Sequence, residues 1–231
     1  MERERPPGVP PVFEDPLRIP VGEVSVEGSL QIPAGAEGMV LFAHGSGSSR
    51  WSPRNRHVAE RLRAAGLGTL LVDLLTPFED ADLDARFDID LLAARLERIT
   101  AWFRGTAPGA SLRVGYFGAS TGAAAALRAA AALGPEIGAV VCRGGRPDLA
   151  EDVLDRVQAP TLLIVGSEDH PVLEWNREAY ERLRARKELA VLPGATHLFE
   201  EPGALDEVAR RAAEWFRRFL PPAAAGGEAA A

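Results

Sequence analysis

A serine hydroxyl becomes a useful nucleophile when an imidazole can take its proton and a carboxylate holds that imidazole in one tautomer. The chain carries such a set in the order serine, aspartate, histidine. Ser120 sits in Gly118-Ala-Ser120-Thr-Gly122, Asp169 in Val165-Gly-Ser-Glu-Asp169-His-Pro, and His197 in Leu192-Pro-Gly-Ala-Thr-His197-Leu. The pentapeptide Gly-x-Ser-x-Gly is short, and its placement gives it weight: an apolar run precedes it and an alanine-rich run follows. A sharp strand-to-helix turn strains the serine backbone and brings chain close on both sides, which glycine at the flanking positions permits. Glu168 is the alternative acid. His170 shares the Asp169 loop, and beside Pro171 it reads as a surface or capping residue. His57 falls inside an expected helix and reads as a packing or surface residue.

Attack on a carbonyl builds an oxyanion that needs two N–H donors. The amide of Thr121 is one. The loop Ala43-His44-Gly-Ser-Gly-Ser-Ser49 supplies the other, assigned to Ser46 with Gly47 as the nearest competitor and a possible substrate contact. His44 is expected to hold this loop by hydrogen bonds. Arg50, Arg54, Arg56, Arg143 and Arg146 gather near the expected mouth, and Arg143 is the leading candidate to grip a carboxylate or phosphate. Trp51 is either a pocket wall or a packing residue, and Cys142, near a strand end without a turn, is expected to be a buried inert thiol.

These residues need a scaffold that delivers each to a strand end. Short apolar runs alternate with amphipathic stretches, which predicts an α/β fold with a mostly parallel twisted sheet and helices on both faces. An opening hairpin is expected within Gly22 to Ile32. Strands are expected at Met39–Ala43, Gly68–Leu74, Leu112–Phe117, Ala139–Cys142, Thr161–Val165 and Leu189–Leu192. Helices fit Pro53–Ala65, Asp88–Arg104, Thr121–Leu133, Asp148–Val157, Leu173–Arg186 and Ala204–Phe219. In Asp88–Arg104 the residues Ile89, Leu92, Leu96, Ile99 and Phe103 form one apolar face.

With 231 residues, 46% of them hydrophobic, the chain suffices for one well-filled domain. Residues 20–220 are assigned to it, 1–19 to an N-terminal extension and 221–231 to a disordered tail. No apolar run reaches bilayer length. Neither a secretory signal nor a membrane contact is expected, and a cytoplasmic location follows. The single cysteine excludes an internal disulfide, and the four histidines lack metal-ligand spacing. A net charge of −7 argues against nucleic acid as partner and leaves small molecules. The expected oligomeric state is monomer or homodimer.

His44-Gly-Ser, Gly118-Ala-Ser120-Thr-Gly122, Gly166-Ser-Glu-Asp169 and Gly194-Ala-Thr-His197 together resemble the dienelactone-hydrolase-like branch of the α/β-hydrolase superfamily over roughly residues 20 to 220. The resemblance implies an α/β-hydrolase fold and an esterase or lactonase that works without cofactor or metal. Dienelactone hydrolase itself uses a cysteine where this chain has Ser120. Similar chains occur beside or fused to phosphoribosyltransferase-like domains. Many relatives insert a helical lid where only Arg143 to Pro160 intervenes here, so no sizeable lid is expected. The resulting expectation is a serine hydrolase of small esters or lactones. A thioesterase or peptidase with the same triad, or a non-catalytic scaffold that binds a small ligand or partner, are the alternatives.

Overall fold

The computed structural model describes residues 16–221. The tail assigned to 221–231 and the extension assigned to 1–19 therefore lie almost wholly outside the described residues. Eight strands form one sheet: β1 (Leu17–Pro20), β2 (Ser25–Gln31), β3 (Met39–Ala43), β4 (Gly68–Val72), β5 (Val114–Ala119), β6 (Ile137–Arg143), β7 (Thr161–Gly166) and β8 (Lys187–Leu192). Their spatial order is β1-β2-β4-β3-β5-β6-β7-β8. Pairings from β4 to β8 are parallel, and β1 and β2 add an antiparallel edge. Every residue of β3, β4, β5, β6 and β7 is buried, because helices cover both faces of a parallel sheet.

On one face α3 (Ile89–Arg104) and α4 (Thr121–Leu133) share a core layer with Leu41, Tyr116 and Cys142, and α5 (His170–Arg182) covers β7 and β8 beside them. On the other, α1 (Pro53–Ala64) and α6 (Ala204–Phe219) cover Phe42, Phe117 and Val141. The helix starts follow from capping chemistry. Ser52 accepts the Asn55 amide ahead of Pro53, and Asp88 accepts the Leu91 amide at 2.9 Å. Alanines in α4 let it press against both the sheet and α3.

The structure corrects several boundaries. The hairpin begins upstream of Gly22–Ile32, which holds only its second strand: β1 is Leu17–Pro20, and Gly22, with φ of 110°, occupies the turn closed by the Val21 amide on the Val24 carbonyl. The sheet thus begins before residue 20. Strand β4 stops at Val72, since the Asp73 amide turns to the Glu27 carbonyl and the Leu74 amide to His44. Strand β5 runs two residues further than expected, to Ala119. In place of a helix over Asp148–Val157, Pro147–Arg156 forms 3-10 turns broken at Ala150, whose φ of −130° is not helical. Helix α5 begins at His170 and ends where Leu183 turns extended, not at Arg186. A 3-10 turn at Glu79–Ala81 and a short helix α2 (Leu83–Phe87) were not foreseen.

Backbone segments also press closely where α4 leaves β5. A Cβ at Gly122 would stand 2.2 Å from the Ala43 carbonyl oxygen, and one at Gly118 2.5 Å from the Ala123 Cα. Backbone cannot yield as a side chain can. Gly122→Ala should lower the urea midpoint by the equivalent of about 1–3 kcal/mol or more. Gly105→Ala, at a helix end with φ of −73°, should stay near wild type in the same titration.

Candidate active site

Ser120 stands at the carboxyl end of β5 with φ of 51° and ψ of −122°, a conformation that costs a non-glycine residue of order 1–3 kcal/mol. Neighbouring chain holds it there. The Ser120 amide donates to the Arg143 carbonyl at 3.2 Å, and its own carbonyl accepts from the Arg146 amide at 3.0 Å. Gly45 packs so closely that a Cβ there would lie 2.9 Å from the Ser120 Cβ. The hydroxyl therefore sits between the loop after β3, the end of β6 and the first turn of α4.

Asp169 follows β7 and His197 follows β8, and the structure brings Asp169 Oδ2 within 2.6 Å of His197 Nδ1. The two loops are tied together first. The Glu168 amide donates to the Ala195 carbonyl at 3.0 Å and the Gly194 amide to Ser167 Oγ at 2.8 Å. A Cβ at Gly166 would meet the Ala195 carbonyl oxygen at 2.1 Å. With Nδ1–H donated to the carboxylate, Nε2 is left as the acceptor that a serine proton requires. Ser120 Oγ itself makes no hydrogen bond among the described residues, so the acid–base pair is closed while the base–nucleophile contact is open. Catalytic contacts of this kind commonly tighten only around substrate.

The alternatives face elsewhere. Glu168 takes the Ser167 hydroxyl at 2.9 Å in an exposed position. His170 is the exposed first residue of α5. His57 Nε2 contacts Asp206 Oδ1 at 2.9 Å, linking α1 to α6. His44 is buried: Nε2 accepts the Leu74 amide at 3.0 Å, so Nδ1 carries the hydrogen and donates to the Gly45 carbonyl at 3.0 Å. Both ring nitrogens are spent on loop backbone. Cys142 is fully buried, and burial pushes its thiol up to about 12, which keeps it un-ionised.

The loop donor differs from the simplest expectation. The Ser46 amide donates to Thr121 Oγ1 at 2.8 Å, so a side-chain hydroxyl already occupies it. The Thr121 amide, first in α4, has no carbonyl behind it to reach. Gly47, at φ of 68° and exposed, lies next along the loop with Arg86 Nη1 as its one near neighbour, 3.8 Å from where a Cβ would be.

Of the five arginines, four are committed. Arg50 pairs with Asp73 and Glu27, Arg54 reaches Glu200 at 2.9 Å, Arg56 lies 5.8 Å over Trp51, and Arg146 reaches Asp148 at 2.7 Å. Arg143 is the last residue of β6, not a mouth residue beyond it, and is only 7% exposed. Its Nε and Nη1 are buried without partners, and burial, reinforced by the Arg54 charge, pushes its pKa down to about 10. Trp51 is 53% exposed and lines a groove along α1 with Pro53, Arg56 and His57, which the triad residues do not border. No cluster of His, Cys, Asp and Glu among the described residues could hold a metal ion. No helix among them is long and apolar enough to cross a membrane.

Two residues that shape the site were not singled out in the sequence. Phe199, two after His197, is 1% exposed and takes a positive φ of 57°, pinning the histidine loop to the core. Gly144, at φ of 50°, leaves room for His197, whose Nδ1 would be 3.4 Å from a Cβ there. The Gly144-Gly145 pair was the available signal, and nothing marked Phe199.

The sequence matches the Dienelactone hydrolase family over residues 53–221. A crystal structure of a dienelactone hydrolase from Anabaena variabilis is 57% identical, covers 88% of this chain and 96% of its own, and superposes with a TM-score of 0.86. An α/β serine hydrolase without lid from Xanthomonas campestris shares the fold at 23% identity and a TM-score of 0.74, over 92% of this chain and 98% of that one. A putative phosphoribosyl transferase of Mycobacterium tuberculosis is 55% identical over 207 residues, which are 90% of this chain and 47% of that protein. The chain thus spans about half the length of the curated relatives it matches.

Thr121→Val preserves shape and removes the acceptor for Ser46. Its expected cost is about 0.5–1.5 kcal/mol in urea unfolding, with Thr121→Ser close to wild type. Equal midpoints for the valine variant and wild type would show that the clamp carries no weight.

Proposed function

Because the chain belongs to the dienelactone hydrolase family and has the α/β-hydrolase fold, we propose that it is a serine hydrolase cleaving small carboxylic esters or lactones through an acyl-enzyme on Ser120. The observation that carries this reading is the Asp169–His197 contact at 2.6 Å, made by two loops that meet beside the strained Ser120 turn. Ser120 Oγ attacks the ester carbonyl while His197 Nε2 takes the hydroxyl proton. The carbonyl π electrons move to oxygen, which the Thr121 amide and the loop after β3 stabilise. Collapse of the tetrahedral adduct expels the alcohol, which takes the proton from His197, and leaves an ester on Ser120. Water then attacks with His197 again as base, and the acid departs as Ser120 recovers its proton. Asp169 fixes the tautomer and offsets the imidazolium charge throughout.

The orphaned N–H groups of Arg143 support a substrate with an acidic group, since a buried guanidinium is expensive without an anion to pair with. One observation favours the alternative of a catalytically silent scaffold: Ser120 Oγ has no hydrogen bond to His197. The transferase name of the longer relatives supports no step at this serine, and phosphoribosyl transfer is not part of the proposal.

A fluorophosphonate probe separates the two readings. Wild type should be labelled on Ser120, with labelling of His197→Ala slower by about 10²–10⁴-fold. Unlabelled folded protein would leave the scaffold reading in place. Arg143→Met should lower kcat/KM for esters that carry an acidic group more than for neutral ones, and an equal effect on both classes would remove Arg143 from substrate binding.

A further inference from the structure

Beside the oxyanion loop lies a cavity of about 400 Å³ that none of the three triad side chains lines. Its walls are the loop after β3 (His44, Ser48, Arg50), the segment after β4 (Leu75, Pro77) and the β1–β2 hairpin (Arg18, Ser25). Its place follows from strand order. Ser120 ends β5; Asp169 and His197 follow β7 and β8 on one side, while β3, β4, β2 and β1 lie on the other. The cavity and the base therefore flank the nucleophile from opposite directions along the carboxyl edge.

Chemistry assigns the two sides. His197 must hand its proton to the departing oxygen, so the leaving group lies toward β8. The carbonyl oxygen points to the oxyanion donors, and the acyl substituent, a separate bond of the same carbon, is left to run away from the base. Gly47 opens the way at the crest of the oxyanion loop: it has no side chain, and a Cβ there would find only Arg86 Nη1, at 3.8 Å.

The lining chooses the acyl class. Its carboxylates are already spent, Glu27 and Asp73 on Arg50 and Asp80 on Arg86. The unspent groups are mostly donors. Arg18 makes no hydrogen bond or ion pair among the described residues, Arg50 Nε is buried without a partner, and the Ser25 and Ser48 hydroxyls are unbonded. A fatty chain would cover Val26, Leu75 and Pro77 but leave these donors stripped of water and without partners, whereas a short acid carrying hydroxyl or carbonyl oxygens would satisfy them. The volume falls in the range of small-ligand sites. We propose that this cavity is the acyl subsite, and that it takes compact acyl groups bearing oxygen acceptors, such as short hydroxy acids, in preference to fatty acids.

The proposal rests on the serine hydrolase reading, and its test keeps the two apart. The p-nitrophenyl esters of acetic, butyric, 3-hydroxybutyric and octanoic acid are compared on wild type, Ser25→Trp and Arg18→Met, with fluorophosphonate labelling measured alongside. Ser25 is exposed at the start of β2, so tryptophan there narrows the cavity without entering the core. Wild type should favour 3-hydroxybutyrate over butyrate and octanoate by about tenfold in kcat/KM. Ser25→Trp and Arg18→Met should each remove most of that preference, with urea midpoints near wild type to show that both variants are folded. A wild-type preference for octanoate, or variants that treat the hydroxy acid and acetate alike at the wild-type ratio, would overturn the assignment. Wild type that neither labels nor hydrolyses any ester fails one step earlier, at the hydrolase reading, and the subsite falls with it.

Discussion

The site depends on how closely three backbone segments can approach at one point. Strand β5 must turn into α4 within the length of Ser120 while the loop after β3 passes against the turn, and there is no volume left for side chains between them. Gly45, Gly118 and Gly122 are the residues that make this possible, since a Cβ at each would meet a neighbour at 2.9, 2.5 and 2.2 Å respectively. The same crowding holds Ser120 at its positive φ, where an isolated serine would relax. The strain is balanced by the two apolar layers that clamp the sheet, with Phe42 against Phe117 at 4.9 Å under the turn. A serine hydroxyl raised above the strand edge is thus a result of packing, and its chemistry follows from that position.

Much of this was legible because parallel strands buried on both faces read as continuous apolar runs, and because glycine around Ser120 has one strong physical meaning. Helices α1 and α3 begin at Pro53 and Ile89, within one residue of the starts expected at Pro53 and Asp88, behind the caps Ser52 and Asp88. What was not legible involves backbone groups leaving one partner for another. Strand β4 ends early because Asp73 and Leu74 find better acceptors in Glu27 and His44, partners distant in sequence. Pro147–Arg156 carries a helical pattern of apolar residues, but the break at Ala150 yields tight turns that a hydrophobic count cannot separate from a helix. The end of α5 is similar: Leu183 leaves the helix to bury its side chain, while the polar residues after it would have fitted either state.

Within the site, residue type and address were readable and hydrogen-bond occupancy was not. The residues after β3 suggest Ser46 as an oxyanion donor, whereas in the folded chain its amide is taken by the Thr121 hydroxyl. The arginines illustrate the same limit. Five near one mouth suggest a cationic funnel, yet four are neutralised or stacked locally, and the fifth is inside the protein. Formal charge counted along a sequence overstates what a ligand would meet, because neighbouring carboxylates arrive from other strands. The acidic excess of the chain makes that pairing nearly inevitable on its surface, and the charge left over has to be found group by group.

The four histidines make the argument sharpest. A histidine in a loop at the carboxyl edge of the sheet describes His44 as well as His197, and address alone cannot choose between them. His44 donates from Nδ1 to a carbonyl and accepts an amide at Nε2, so both ring nitrogens are engaged with loop backbone. His57 and His170 lie on helices, the first engaged with Asp206 and the second exposed. His197 has a carboxylate on one nitrogen and leaves the second free, as His57 does with Asp206, but only His197 does so at the carboxyl edge of the sheet near Ser120, where a shuttle needs both a partner that stabilises the charged form and a vacant lone pair to accept the proton. The base is therefore identified by an unspent nitrogen and its place beside the nucleophile taken together, and both are properties of the folded backbone around it.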